Sequence, residues 1–582
     1  MAHPTTADKR RVSLAPALPA LGLLMLCLII QTALAPGLAL AQGPAQENKP
    51  DGNSSQVRGN PEATVGGVRR THFSVSPPLL HPLNATDYYG NKVLDLIYET
   101  LVGVDVDTME HIPLLASRWE TAPDKLSYTF WIDPRARWHD GRPVTARDVA
   151  HSFDVLFHPK LKTRAKWQAY YSNLSRVEVL DGNRVRFHVK RDHFLNFVNL
   201  ASMRIVPAHM FKGDDPDKTS LASKPLGSGP YLFSHWKKGQ SILLKRNPEY
   251  WGRELPQNAG RYNIQLLLTK IIPTEKVALE AFKKGDLDAI EFRPEQWARE
   301  TNGPEFGLGA SSGKKLVKLD IQNKAPRGYR YVGWNLESPL FSDRRARQAM
   351  GHLFDRRTFI EKFYHGLQVE AVGPFETNSR YSSPDVKPLE FSPKKALELL
   401  HQAGWKDSDG DSVLDKNGVP FRFTIMTADR ETSVKMLTLA KETMRSAGVD
   451  MSLKVVDWST LLTLIDEYRF DAVMLGWKRS PWPDPTALWH SESAQKGGLN
   501  LVRYRNPEVD GLIEKATRTI PDTERVKLFR RIHELIFNDQ PYTFMTEENH
   551  ILVGYQNTFR MVKPWYEYDV GYDYWWTDAK MP

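Results

Sequence analysis

The sequence predicts an α/β protein of two or three domains, on three observations. Its 582 residues exceed what a single hydrophobic core holds. From Ser392 onward, helical stripes alternate with short β-rich runs, the pattern of a parallel sheet covered on both faces. Nearer the front, Tyr128, Phe130 and Ile132 share one face at period two and lead, through a turn at Asp140-Gly141, into a helix. Trp138 closes a second short strand before that turn. Thr145 and Asp148 supply the helix's capping box, and Val149, Phe153, Leu156 and Phe157 follow at helical spacing.

At the amino terminus, Lys9, Arg10 and Arg11 precede an apolar run from Leu18 to Ile30, and Ala39-Leu40-Ala41 offers small residues for cleavage. Residues 1–41 therefore read as a secretory signal peptide. The one cysteine, Cys27, lies inside that run without the small residues that a lipid-acceptor site needs ahead of it, which favours release in soluble form. After cleavage the chain has no disulfide, thiolate nucleophile or cysteine-bound metal. No later run reaches the roughly 18 apolar residues of a membrane span. The formal charge is +9, and the leader (Lys9, Arg10 and Arg11 against Asp8) holds +2 of it. The remaining +7 is scattered, which speaks for a solvated surface and against nucleic acid.

Residues 42–67, rich in Gly, Pro, Asn, Ser and Gln, read as a disordered linker, with order starting near Val68. Val93, Leu96, Ile97, Thr100 and Leu101 trace a helical stripe between Tyr88 and Leu101. Two alternating runs from Val177 to Val189 flank Asp181-Gly182-Asn183, a hairpin signal. Strand regions follow from Gly227 and from Ser241, and Ala278 to Asp288 is helical. Ser342 is the expected cap of a helix carrying Ala346, Ala349, Met350, Leu353 and Phe354 on its buried side. Ser392 caps the next helix, with Pro393 at its first position and Gly404 at its end. Strands are expected at 421–426, 451–455 and 470–477, and helices at 434–444 and 461–465 and after Asn506-Pro507 and Asp522.

Several strings stand in a telling order: IYETL with Pro113, Leu115-Ala116 and Trp119; WHDG with PVTA and DV; GSGPY at 227–231; NPEYWG at 247–252; the helix ending in KKGDLD; and YVGWNLESPLFSDRRARQAM from Tyr331. Together they resemble the family 5 extracellular solute-binding proteins, the dipeptide, oligopeptide and nickel receptors of ABC importers. The resemblance implies a two-lobed periplasmic-binding-protein fold of the cluster C type, with an extra subdomain inserted in the first lobe. The implied partition is 1–41 signal peptide, 42–67 linker, 68–95 first lobe, 96–224 inserted subdomain, 225–328 first lobe, 329–541 second lobe and 542–582 return to the first lobe. It also implies a monomeric periplasmic receptor that uses no cofactor and performs no chemistry. Its partners would be a peptide or peptide-like ligand and an inner-membrane permease with ATPase subunits.

Ligands of open α/β sheets bind beyond the carboxyl ends of the strands. The strand ending at Trp477 delivers a loop through Pro485 in which three prolines stiffen the backbone, Trp477 and Trp482 offer flat apolar faces, and Arg479, Ser480 and Asp484 offer polar groups. An alternative is that the two indoles simply cover the sheet end. The resemblance matches Trp477 to a tryptophan of peptide-binding members, but places Ser480 or Pro481 where those members carry an aspartate for the peptide's α-ammonium. Asp484 is the nearby substitute, and a longer peptide, a blocked peptide, an oligosaccharide or a metal chelate stays open as cargo. Tyr88 and Tyr89 in the first lobe, and Trp334 and Asn335 at the crossing, are the expected opposite wall. Trp477→Ala is expected to weaken binding without unfolding the protein.

Other motifs point elsewhere less well. Gly309–Gly313 fits G-x-S-x-G but lies in a loop followed by a strand-like run rather than between strand and helix. Asp407, Asp409, Asp411 and Asp415 space like the start of a calcium loop, yet Ser412 stands where that loop needs Gly and Gly418 where it needs Glu. His533-Glu534 lacks a zincin's second His. The competing class, a secreted hydrolase of peptides or glycans, would use Asp484 and Glu492 as acid and base.

Overall fold

The structure, a computed structural model, describes residues 57–578 apart from 86 and 214. The signal peptide and residues 42–56 of the expected linker lie outside the described residues. Residues 57–67 are not loose: Arg58 reaches the Asp105 carboxylate at 3.0 Å and that of Asp107 at 2.8 Å, and a strand already runs from Gly66 to Phe73.

Three four-stranded sheets make up the first lobe and its insertion. In one, Gly66–Phe73 pairs in parallel with Ile264–Ile271, and Ser241–Arg246 and Tyr231–Lys237 extend the sheet antiparallel. A second holds Ala289–Glu291, Ile551–Gln556, Leu316–Ile321 and Phe306–Leu308. The inserted sheet, Ala116–Thr121, Ser127–Ile132, Arg184–Val189 and Leu174–Val179, is antiparallel throughout. One continuous core joins all three, since Phe130 and Val185 of the insertion belong to the same buried cluster as Leu267 and Val553.

Local signals explain the elements. Thr145 caps Ala146–Leu156 through the expected box, its own N–H donating to Asp148 Oδ2 at 2.9 Å. Trp138 forms no strand; only an isolated bridge joins Arg137 to Pro143, and the Trp138 carbonyl instead accepts from Gly141 to close the turn. The stripe expected to stay helical to Leu101 stops at Leu94. There tertiary hydrogen bonds win: the Leu96 and Ile97 carbonyls accept from Tyr231 and Gly229 at 3.1 and 2.8 Å. A Cβ at Gly227 would lie 1.9 Å from the Ile97 oxygen, so only glycine permits this approach.

Beside that contact, buried Glu99 accepts from Tyr250 Oη at 2.6 Å and Trp251 Nε1 at 2.9 Å. IYETL, GSGPY and NPEYWG therefore meet at one clamp. Burial raises the Glu99 carboxyl from an ordinary value of 4.5 to about 7, against those two hydrogen bonds.

The second lobe is built on a six-stranded sheet in the order Gln368–Glu370, Tyr542–Glu548, Gly328–Trp334, Ala472–Lys478, Arg422–Ala428, Asp450–Val456. The sheet is mixed rather than wholly parallel: its last three strands run parallel, and the three contributed near the crossings pair antiparallel. Both faces are covered. Val332, Trp334 and Met545 point into a core beneath Arg344–His352 and Glu431–Ser446, while Tyr329, Tyr331 and Phe544 point into one beneath Pro507–Arg518 and Asp522–Asp539. Burial on both faces gives these strands their near-continuous apolar runs.

Asp343, not Ser342, caps Arg344–His352, accepting from Arg345 N at 2.9 Å, while the Ser342 hydroxyl donates to Pro339 O. The chain crosses between lobes twice, over 322–327 and over 549–550. The strand Tyr542–Glu548, expected to open the return to the first lobe, pairs within the second-lobe sheet, so the return comes only after it.

Glu99→Ala orphans a buried phenol and an indole N–H, and at pH 5 should lower the free energy of unfolding by about 2 kcal/mol. The raised folded-state pKa means that Glu99 contributes most below about 4.5 and progressively less as pH rises through about 7. Urea denaturation should accordingly show a larger deficit at pH 5 than at pH 8.

Candidate functional site

The strand Ala472–Lys478 lies antiparallel to Gly328–Trp334 with Lys478 opposite Gly328, so its carboxyl end meets the chain just as it enters the second lobe. The loop after Lys478 is therefore delivered into the angle between the lobes. A cavity of about 560 Å³ opens there. Trp477, Arg479, Ser480, Trp482 and Asp484 line it together with the segment Pro374–Tyr381, and Met109, Asn323, Lys324 and Tyr568 face them from the first lobe.

Arg479 organises this wall. Its guanidinium stands 2.8 Å from the Glu547 carboxylate, donates to the carbonyls of Gly373 and Pro374 at 3.1 and 3.3 Å, and lies 4.3 Å over the Tyr329 ring. The Arg479 Nη1 contact with Glu547 Oε2 is close but off-line, so it acts as a charge contact rather than a directed hydrogen bond. Glu547 Oε1 accepts from Thr377 N at 3.1 Å. Side-chain exposures of 6% and 3% leave water little part in the pair. Its charge is thus used inside the protein, not held out to a ligand.

The other loop residues are also engaged. Ser480 Oγ accepts from Trp482 N at 3.2 Å, and Asp484 Oδ1 accepts from Thr486 N at 2.9 Å to start the turn Thr486–Trp489. Trp477 is 3% exposed, stacked on Tyr331 at 6.2 Å, and donates to Tyr542 Oη at 3.4 Å. It is both a core residue and a cavity wall.

Trp482 reaches across the cleft and stacks on His111 of the insertion at 6.5 Å and 7°. Burial lowers His111 to about 4, so the imidazole is neutral at pH 7 and this is a ring contact without a cation. His193 Nε2 lies 3.6 Å from Asp484; burial lowers its pKa more than Asp484 raises it. Next to it, Phe194 packs into the second-lobe core, 6.1 Å from Phe529 and 4.5 Å beneath the Arg525 guanidinium, with its N–H donating to Thr517 O. A further contact between the lobes is the pair of His365 and Glu295 at 2.6 Å.

The expected opposite wall is elsewhere. Trp334 is fully buried with its indole donating to Thr543, and the Asn335 amide donates to Phe470 O. They sit at the far end of the crossing strand, roughly 20 Å from Gly328 at about 3.3 Å per residue. Tyr88 and Tyr89 do not line the cavity; Tyr89 Oη pairs with Ser74 and its ring packs on Phe73.

Of the cavity residues missed, Glu376 matters most. Burial lifts its carboxyl from 4.5 to about 7, with Glu547 adding to the rise and Arg479 and Arg327 opposing it. No local sequence signal marks it. His533, read as a broken metal motif, is a buried strut: Nδ1 accepts from Ser383 N at 2.9 Å and Nε2 meets Val372 O at 3.0 Å, holding the Pro374–Tyr381 segment.

The set-aside motifs stay apart from the cavity. Ser311 is exposed in a loop between strands. Asp407, Asp409 and Asp411 gather oxygens within 4.8 Å, but these accept from Gly410, Ser412, Asp411 and Val413 amides, and the turn precedes the sheet's amino-terminal edge. Glu492 is exposed and does not line the cavity, so the expected acid-base pair of Asp484 and Glu492 is not brought together there.

The description of bacterial extracellular solute-binding proteins, family 5 middle, matches residues 110–498. The oligopeptide-binding protein AppA of Bacillus subtilis (strain 168) is 29% identical over 517 residues, covering 87% of this chain and 90% of its own. The structure of AppA from Bacillus subtilis in complex with a nonapeptide superposes with a TM-score of 0.71 at 26% identity, covering 89% of this chain and all of that one. NikZ from Campylobacter jejuni in complex with Ni(L-His) shares the fold, at a TM-score of 0.68 and 23% identity over 85% of this chain and 94% of that one.

Two substitutions test the wall. Arg479→Ala leaves Glu547 buried without a counter-charge and should cost about 3–5 kcal/mol. Trp477→Ala, expected from sequence to spare the fold, should instead cost about 3–5 kcal/mol because it empties a core position. Denaturant titration of both variants checks these values.

Proposed function

The chain belongs to the bacterial extracellular solute-binding proteins of family 5, and from that premise we propose that it captures peptides between its lobes and delivers them to a membrane ABC permease. The family is a class of substrate-binding receptors, so the chain works by binding and not by catalysis. The observation that carries the peptide reading is the interlobe cavity itself. It combines indole and proline faces with the Tyr329 hydroxyl and the Asn549 Oδ1, two buried polar atoms lacking protein partners, which suit a main chain with its repeating donors and acceptors. The peptide-bound relative supports the same choice.

A metal chelate is the second reading, because one structural neighbour was solved with nickel and histidine. No histidine lines the cavity among the described residues, which favours peptide. Stacking of Trp477 on Tyr331 and of Trp482 on His111 leaves less indole face for a sugar.

The mechanism follows from the two crossings. Each lobe alone offers half a wall; a ligand touching both favours the closed arrangement by its differential affinity for it. Contacts at Phe194, His193 and Trp482 add to closure from the insertion. Export through the leader to the periplasm, and action as a monomer, complete the proposal. Among the described residues no helix is long and apolar enough to cross a membrane.

A randomised peptide pool at a hundred times its dissociation constant should stabilise the protein by about 2.7 kcal/mol, read as a rise in melting temperature. Trp482→Ala should weaken that binding roughly tenfold while the ligand-free protein melts within a few degrees of wild type. A rise with nickel and histidine, and none with peptides, would overturn the peptide reading.

A further inference from the structure

The insertion belongs to the first lobe by its core, yet one of its turns is seated in the second. After the strand Arg184–Val189 the chain turns over residues 191–196, and the insertion itself fixes the shape of that turn. Asn196 N donates to His193 O at 3.0 Å and Leu195 N to His193 Nδ1 at 3.1 Å, while Asn173 Nδ2 donates to Arg191 O and Asn196 Oδ1 at 2.8 and 2.7 Å. The Phe194 ring that this turn carries is not part of the first-lobe core. It packs against the second-lobe cluster instead.

Two helix ends make the seat. The helix Pro507–Arg518 finishes with carbonyls that no N–H of its own can reach, and one of them, Thr517 O, accepts from Phe194 N at 3.0 Å. The next helix, Asp522–Asp539, supplies the Phe529 ring, edge-on at 6.1 Å, and the Arg525 guanidinium, 4.5 Å over Phe194.

The cavity wall leans on the same groups. Phe529 stacks on Phe375 at 5.4 Å and 18° and meets Tyr381 edge-on at 5.3 Å, and both of those rings line the cavity. Arg525 donates to Asp522 at 2.6 Å, and Asp522 also holds Arg380, another lining residue. His193, beside Phe194, lies 3.6 Å from Asp484 of the cavity loop. Rings, charges and one direct contact therefore join the turn to the walls that a ligand would touch.

We propose that the turn over residues 191–196 is a clasp with Phe194 as its positioning residue: the inserted subdomain grips the second lobe when the cleft closes, and so sets how firmly a ligand is retained without touching it. The inference rests on the closure reading above and gives the insertion its part in it. Separating the lobes returns the Phe194 ring to water and leaves Thr517 O without its donor, so the seated turn favours the closed arrangement. A ligand packed on Phe375 and Tyr381 steadies the ring on which Phe194 rests, so filling the cavity and seating the clasp favour each other.

Hydrogen exchange over residues 191–196, with and without a randomised nonapeptide pool, tests the clasp. In the empty protein the turn should exchange at least tenfold faster than the paired strands Leu174–Val179 and Arg184–Val189 of its own subdomain, and the pool should slow it roughly tenfold. Phe194→Ala should bind the pool roughly tenfold more weakly in calorimetry and, when empty, melt within a few degrees of wild type; Phe194→Leu should recover the affinity to within about threefold. A turn as well protected in the empty protein as those strands would overturn the clasp whatever the ligand, since the contact would then be a permanent part of the fold. A Phe194→Ala variant that binds the pool as wild type does, or that melts far below it, would overturn the clasp too and leave peptide capture standing. Binding of no pool by wild type would overturn the peptide reading, and the exchange of the empty protein would still decide the clasp.

Discussion

Arg479 and Glu547 face each other 2.8 Å apart, almost out of contact with water, where the chain enters and leaves the second lobe. Breaking such a pair leaves a bare charge in a medium that cannot solvate it. The consequence is positional: the arginine side chain is spent on Glu547, on two carbonyls of the Pro374–Tyr381 segment and on the Tyr329 ring, so loop, segment and both crossing strands hold one arrangement. A cleft wall made of three segments distant in sequence needs a device of this kind, because no single element could carry it.

The first lobe solves a similar problem with hydrogen bonds and close approach. Gly227 and Gly229 let one strand lie against the carbonyls of Ile97 and Leu96, and Glu99 gathers Tyr250 and Trp251 beside them. Since the inserted sheet shares this lobe's core, a force on the insertion at His111 or Phe194 is transmitted to the whole lobe. The contacts that bridge the cleft include two aromatic pairs, Trp482 with a neutral His111 and Phe194 with Phe529, beside the ionisable pairs His193–Asp484 and His365–Glu295. Such contacts are individually weak, which suits an equilibrium that a ligand must be able to shift in both directions.

Local structure was widely legible. The Thr145–Asp148 box, the hairpin about Asp181–Asn183, and the Ser392 cap with Pro393 all depend on neighbours a few residues away, and they form as their spacing requires. Misses came where distant partners outbid local preference. The helix after Tyr88 ends early because carbonyls 96 and 97 are claimed by the 229–231 strand, and the sheet is mixed because the crossing strands enter it from the other direction.

The sequence by itself determined the succession of helices and strands, the burial of the second sheet on both faces, the family, and the loop that lines the interlobe cavity, since each is written in periodicity or in contiguous strings. Only the tertiary structure decided what stands opposite that loop. Met109, Glu376 and Tyr568 share a cavity with Trp482 although long stretches of chain separate them, while Trp334 and Asn335 are carried to the far end of their strand. It likewise decided which charges are consumed: Arg479 looks available along the chain and is spent on Glu547 and on two carbonyls. Pairing of charge depends on distance in space, and a linear string of residues carries that distance only for its near neighbours.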